Sequence, residues 1–258
     1  MERFWGIVRA EFRMSIQRKG FWLVYVLLFV FYGIDIALMP GEFGLPATSR
    51  YKDVVEYAGF MVFFFQLFCP LVTGIAAADR LVRDRKLGTM ELLRSTPISR
   101  WTYILGKYVG VLAALTAPLL GFLLVADIYS IAAGVPWMVL PYSLLAFATM
   151  TFPAFAFVTM CALAFPMIMP LRVFQVLFTG YWFWGNFLSP TAFPTLNGTY
   201  LSANGLFALQ GIFGASFGQS APIYTLTDVA LNLLVLAACI VIAAVVLERY
   251  LAAQARKA

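Results

Sequence analysis

Long stretches without a charged residue constrain this chain most. Such runs occupy residues 20–34, 57–78, 108–126, 128–171, 173–227 and 229–247. About 20 consecutive apolar residues carry an α-helix across the hydrocarbon core of a bilayer. Hydrophobic residues make up 62% of the chain and charged residues only 12%, against roughly 25% charged residues in soluble domains. The chain is therefore expected to fold in a membrane.

The apolar runs predict an all-α polytopic membrane protein with six transmembrane helices. These spans are expected near residues 20–39, 57–78, 104–126, 139–165, 173–189 and 229–247. Leu201–Phe217 is the alternative seventh span, but Asn204, Gly205 and Gln210 interrupt it. Because irregular backbone at membrane depth must be buried in protein or line a wet cavity, this segment favours a re-entrant external hairpin before the last span. With no repeat or linker, residues 1–258 are expected to form one transmembrane domain.

Basic residues predict the orientation, since cytoplasmic flanks of membrane proteins collect Lys and Arg. With six spans and both termini in the cytoplasm, sixteen of the eighteen basic residues are cytoplasmic, and only Arg50 and Lys52 lie outside. Lys107, at the inner end of the third span, is expected to snorkel towards water.

The first 19 residues predict an amphipathic helix that lies in the headgroup plane. Trp5, Val8, Phe12 and Ile16 recur there at helical spacing. An ordinary basic leader is the alternative. A cleaved signal peptide is not favoured, because the following apolar segment is too long for one.

A charged island, residues 79–107, separates the second and third spans and holds seven of the basic residues. Gly88 predicts a helix end, because glycine adopts positive φ readily. Thr89 predicts the next N-cap, and Thr96 followed by Pro97 predicts the N-cap of the third span. A rigid helix of about two turns, Met90–Ser95, is therefore expected, on which a soluble partner can push. The alternative is a loop that only fixes topology.

Several chemistries are not expected of this sequence. There is no histidine, and the three cysteines lie singly in three different spans without metal-ligand spacing. Gly106 and Lys107 are followed by Tyr108 and lack the upstream glycine of a phosphate loop. We therefore expect no catalytic residue, no metal site and no cofactor bound by this chain. If nucleotide drives this protein, another chain binds it.

Two groups of side chains are candidates for a substrate pathway. The aromatic candidates repeat at helical spacing: Phe60, Phe64 and Phe68 on the second span, and Phe178 and Trp182 on the fifth. Their alternative is packing between helices or against lipid. The acidic candidates lie near the external ends of spans: Asp35, Asp127 and Asp228. They either anchor those ends or form an acidic mouth for cationic or amphipathic cargo.

The segment RDRKLGTMELLRSTPISR (83–100), followed by Leu-Gly-Lys (105–107), resembles the loop between the second and third spans of ABC-2 type permeases. These are the membrane subunits of bacterial ABC exporters. Asp84-Arg85 stands where Glu-Arg is more usual in that family. The layout of an N-terminal amphipathic helix, six spans and an external hairpin is also similar to that of the family.

The resemblance implies that Met90–Ser95 is a cytoplasmic coupling helix that docks on a separate ATPase. The implied coupling residues are Asp84, Arg85, Gly88, Thr89, Glu91, Leu92, Arg94 and Pro97. It also implies two ATPase subunits that bind ATP and Mg²⁺, a second permease subunit, identical or homologous, and the bacterial inner membrane. Lipid is an expected partner and nucleic acid is not.

The function implied is a permease subunit of an ATP-driven exporter, with hydrophobic or amphipathic cargo. The alternative is a stand-alone ion-coupled transporter or channel. In that case the aspartates at positions 35, 127 and 228 would carry the coupling ions.

Overall fold

The computed structural model describes residues 2–38, 51–88, 98–215 and 224–256, and all regular structure in these ranges is helical. The prediction of an all-α protein is thus confirmed for the described residues. A π-helical segment, Phe147–Thr151, joins α7 to α8. The helices are α1 Glu2–Ile16, α2 Lys19–Leu38, α3 Val54–Phe65, α4 Cys69–Ala77, α5 Arg80–Lys86, α6 Arg100–Ala132, α7 Val139–Ala146, α8 Phe152–Ile168, α9 Leu171–Asn186, α10 Leu206–Gly211 and α11 Leu226–Ala255.

Four helical runs among the described residues are long and apolar enough to cross a membrane. They are Val54–Lys86, Arg100–Ala132, Val139–Ile168 and Leu226–Ala255. Glu2–Ile16 and Lys19–Ile34 pass the same test together, but they are bent by 66°. At 16 residues, α9 is about 24 Å long, less than the roughly 30 Å of a bilayer core. The structure supports four or five spans, and the count of six stays a prediction.

The run that corresponds to the second predicted span is broken in the middle. The first half, α3, ends at Phe65, and α4 begins at Cys69 with Pro70 in its first turn. Proline is tolerated there because the first turn has no use for its missing N–H. A break in a helix leaves backbone groups without intrahelical partners, so residues 66–68 need partners from elsewhere.

Side chains of two other helices supply some of these partners. The buried Trp182 of α9 donates from Nε1 to the carbonyl oxygen of Leu67 at 3.0 Å. The buried Tyr32 of α2 donates from its hydroxyl to the carbonyl oxygen of Phe65 at 3.4 Å. The break is therefore the place where α2 and α9 are joined to the second span.

The aromatic pathway candidates lie at different depths in this packing. On α9, Phe178 is 6% exposed and Trp182 is fully buried. On the second span, Phe60, Phe64 and Phe68 are partly buried and pack against the main core. Lining a pathway stays a prediction for all five side chains.

Three asparagines hold together the described residues between α9 and α11. Asn186 accepts from the backbone N–H of Ala203 at 2.8 Å, and Asn204 donates to the carbonyl oxygen of Asn186 at 2.6 Å. Asn232 of α11 donates to the carbonyl oxygen of Ser202 at 2.9 Å. The region contains one helix in its described part, α10, whose six residues reach only about 9 Å. The described part of the alternative seventh span therefore does not cross a membrane.

Replacement of Trp182 by Phe tests the role of the break. Phenylalanine keeps a large apolar ring but cannot donate, so the partly buried Leu67 carbonyl loses its side-chain partner. We expect the free energy of unfolding to fall by about 1–3 kcal/mol, measured as a lower thermal midpoint in detergent. Trp184→Phe is the control, since Trp184 is 44% exposed. Equal midpoints for the two variants would contradict this account.

Candidate functional site at the charged island

The charged island begins with a helix that glycine terminates. Asp84 and Arg85 lie in α5, which ends at Lys86. Gly88 has a φ of +70°, and its N–H donates to the carbonyl oxygen of Arg85 at 3.3 Å. The predicted helix end at Gly88 is confirmed. The other predicted coupling residues lie outside the described residues: Thr89, Glu91, Leu92, Arg94 and Pro97.

The helix that contains the predicted third span begins at Arg100. Its N-cap is Ser99, whose Oγ accepts from the backbone N–H of Thr102 at 3.1 Å. Thr96 and Pro97, for which the sequence predicted an N-cap, lie outside the described residues. Serine is as good an N-cap as threonine, so a short polar stretch offers several local starts.

Helix α1 packs closely along the start of α6 because glycines allow its approach. A Cβ added to Gly110 would lie 2.7 Å from the carbonyl oxygen of Val8, and one added to Gly106 would lie 3.0 Å from Ile7. Small residues four apart are a common means of close helix packing in membranes. The buried face of α1 consists of Val8, Glu11 and Ser15.

This contact differs from the apolar stripe predicted for α1. The helix itself is confirmed, but Trp5 of that stripe is 60% exposed. A carboxylate, Glu11, lies on the buried face instead, where it is 5% exposed. Its burial requires a compensating charge, because an unpaired buried carboxylate is costly.

Lys107 of α6 supplies that charge. It is 2% exposed, and its Nζ contacts Glu11 Oε1 and lies 2.6 Å from Asp84 Oδ2. The hydroxyl of Tyr103 donates to the same Asp84 oxygen. The prediction that Lys107 snorkels to water was wrong, since two carboxylates replace the water. We call Glu11, Asp84, Tyr103 and Lys107 the buried ion cluster.

A second ion pair lies at the other end of α1. Arg18, between α1 and α2, lies 3.1 Å from Asp79, the residue before α5. The buried Arg80 has its Nε 3.9 Å from Asp79. The N-terminal segment is therefore joined to α5 at two places, through Glu11 and through Arg18.

The buried ion cluster links three helices to one another. The ammonium of Lys107 is shared by carboxylates from α1 and α5, so three helices meet at one charge. Among the described residues, no group of three or more His, Cys, Asp or Glu side chains is placed to hold a metal ion. What the cluster can do is transmit displacement between its three helices.

Sequence reasoning missed Glu11, Tyr103 and the partners of Lys107. Two signals could have found them. The spacing of Gly106 and Gly110 on one face of α6 indicates a close helix neighbour. Glu11 lies three residues after Val8, on a face that would otherwise be apolar and small.

The acidic candidates lie apart from this cluster and in separate networks. Asp228 belongs to the capping box of α11, where Oδ2 accepts from the N–H of Thr225 at 2.8 Å and Oδ1 accepts from the hydroxyl of Tyr200 at 2.7 Å. That last hydrogen bond raises the pKa of Tyr200 above its ordinary value. Asp127 is buried and bonded to Ser143 at 2.5 Å. The side chain of Asp35 lies outside the described part.

Replacement of Lys107 by Met tests the cluster. Methionine has a similar length but no charge, so Glu11 stays buried, and Asp84 partly buried, without a cation. We expect a loss of about 3–5 kcal/mol in the free energy of unfolding. Neutralising both acids in the same chain, by Glu11→Gln and Asp84→Asn, should recover most of this loss.

Arg100→Met is the matched control for this test. Arg100 pairs with Glu248 at 2.9 Å, but its side chain is 53% exposed, and exposed ion pairs contribute little. A Lys107→Met chain as stable as the Arg100→Met chain would contradict the account.

Comparison with known proteins agrees with this layout. Residues 5–250 match the family described as ABC-2 family transporter protein. A probable ABC transporter permease protein, NosY, of Stutzerimonas stutzeri is 31% identical over 115 residues, which are 43% of this chain and 39% of NosY. The alignment with NosY thus spans less than half of either protein. Because the family match covers nearly the whole sequence, this chain belongs to the ABC-2 transporter family.

Proposed function

We propose that the chain is the permease subunit of an ATP-driven ABC exporter. A separate ATPase would act on residues 89–97, with Met90–Ser95 as the coupling helix. The observation that carries this proposal is the buried ion cluster, because it holds both flanks of that segment. Asp84 lies just before it and Lys107 lies just after it, and the two are in direct contact.

The cluster gives the proposed coupling a physical basis. Separating Asp84 from Lys107 would leave buried charges unpaired, which costs several kcal/mol. A displacement of residues 89–97 would therefore move α5 and α6 together instead of stretching the segment. Glu11 would bring α1 along in the same motion. Helix α2 follows α1 directly, at a bend of 66°. The motion of α1 would therefore reach the first span.

The partners follow from family membership. Permeases of this family work with ABC ATPases, so we infer two ATPase subunits that bind and hydrolyse ATP with Mg²⁺. A second permease subunit, identical or homologous, would complete the pathway. This chain would carry no catalytic residue. The coupling ligands would be Asp84, Arg85, Gly88, Thr89, Glu91, Leu92, Arg94 and Pro97.

The proposed cargo is hydrophobic or amphipathic. An apolar groove of about 580 Å³ lies between α8, α9 and α11. Its walls include Phe174, Phe178 and Tyr181 of α9 and Phe157 and Phe165 of α8. Such a wall offers few partners to a small ion. The groove is thus consistent with an aromatic pathway that includes Phe178.

An ion-coupled carrier is the less favoured alternative. Asp228 is committed to hydrogen bonds at the start of α11. The family match also assigns the chain to ABC transporters.

The proposed topology has six spans, both termini in the cytoplasm of a bacterium and α10 in an external hairpin. The basic residues support this topology, since it places sixteen of the eighteen in the cytoplasm.

Reversal of Glu91 tests the proposed coupling. Glu91→Arg should leave membrane insertion and stability unchanged, because Glu91 is not one of the four residues of the buried ion cluster. In proteoliposomes with the partner ATPase, we expect the ATPase activity that depends on cargo to be lost. Glu2→Arg is the control, since it makes the same charge change on an exposed position of α1. Wild-type transport by Glu91→Arg would show that residues 89–97 are not the coupling element.

Thiol labelling tests the topology. In a variant without native cysteines, Thr191→Cys should react with an impermeant maleimide added to intact cells. Ala255→Cys should react only after the membrane is opened. Labelling of Ala255→Cys in intact cells would require a different number of spans.

A further inference from the structure

Asp127 is a buried acid with no cationic partner in the part of the chain that the structure describes. It lies on α6 near the end that packs on α7, and its side chain is fully buried. Its Oδ2 lies 2.5 Å from the Oγ of Ser143 on α7, and its Oδ1 has no partner among the described residues. The ion pairs of the described residues do not include it.

An ionised carboxylate is expensive in this place. Removing it from water costs several kcal/mol, while one hydrogen bond to a charged group returns about 1.5–3 kcal/mol. The buried ion cluster shows the contrast within the same chain, since Glu11 and Asp84 share the ammonium of Lys107. Among the described residues, no cationic side chain neutralises Asp127.

The surrounding helices offer Asp127 no positive charge. From α3, the facing titratable group is Tyr57, whose hydroxyl lies 3.1 Å from the Oγ of Ser130. On α7 the only titratable side chain is Tyr142, and α8 carries none besides Cys161. Lys52, near the start of α3, is exposed. On α6 itself the neighbouring titratable group is Tyr129.

We propose that Asp127 is a proton-binding site and is a neutral carboxylic acid in the folded protein at neutral pH. Its Oδ2–H donates to Ser143 Oγ, and the hydroxyl of Ser143 donates onward to the carbonyl oxygen of Leu140 at 3.0 Å. With this direction of donation, the proton of Asp127 and the hydroxyl proton of Ser143 each have an acceptor. With an ionised Asp127, Ser143 would have to spend its one proton on the carboxylate, and a buried charge would remain.

The bound proton joins two helices at the end of the bundle opposite the buried ion cluster. While Asp127 is neutral, α6 and α7 stay in contact through Ser143. Loss of the proton would place a charge in this sealed contact, and hydrating that charge would require the helices to part. Conformations that separate α6 from α7 therefore release a proton, and closed conformations bind one.

Infrared spectroscopy tests the protonation state directly. The full chain in lipid nanodiscs in D₂O at neutral pD should show a carbonyl band of a carboxylic acid. Asp127→Asn should lose that band, whereas Asp228→Asn, which alters a partly exposed carboxylate, should keep it. Ser143→Ala should shift the frequency of the band, because the acid loses its acceptor.

Two outcomes would overturn the proposal. One is a wild-type spectrum at neutral pD without an acid carbonyl band that depends on Asp127. The other is a thermal midpoint that rises with sodium chloride relative to choline chloride and loses this response in Asp127→Asn, which would assign a bound cation. If Asp127→Asn does not fold, Ser143→Ala provides the test. An acid carbonyl band with an unchanged frequency in Ser143→Ala would equally reject the site.

Discussion

The buried ammonium of Lys107 holds together the end of the protein that contains the charged island. Lys107 lies between carboxylates of α1 and α5, so three helices that are distant in sequence share one charge. Their partial separation would strand buried charges, and the close approach of α1 at Gly106 and Gly110 keeps water from replacing the lost contacts. This constraint joins three elements into one body: α1, α5, which precedes the proposed coupling segment, and the start of α6. The proposed response to an ATPase depends on that rigidity.

Elsewhere in the bundle, two of the spans contain interruptions of the α-helix. The second span is two short helices joined at residues 66–68, and the fourth contains a π-helical segment before α8. Breaks and π-segments interrupt the regular ladder and are frequent at functional sites. Trp182 and Tyr32 bridge the first of these breaks by hydrogen bonds to its carbonyl groups. In the proposed mechanism, the buried ion cluster moves as a unit when the ATPase displaces it. The interrupted spans then allow helices deeper in the bundle to rearrange.

The parts of the fold that follow from local chemistry could be predicted, and those that depend on distant partners could not. Apolar runs specify helices by themselves, and Gly88 terminates α5 because its own backbone permits positive φ. Lys107 was misjudged because its partner Glu11 lies 96 residues away, and snorkelling is the default for a lysine without a known partner. The break at residues 66–68 also escaped prediction, since its hydrogen bonds come from α2 and α9. The hydrogen-bond partners of Asp127 and Asp228 could not be predicted either, because they are set by tertiary packing.

Distances between spin labels test the central claim that the buried ion cluster makes one rigid body. Nitroxides at positions 5 and 87 would report on α1 and the end of α5, since Trp5 and Leu87 are 60% and 66% exposed. Double electron–electron resonance on the complex with its ATPase should give one narrow distance that is the same with and without trapped nucleotide. The same pair in a Lys107→Met chain should give a broad distribution. A wild-type distance that shifts or broadens when nucleotide binds would contradict the account.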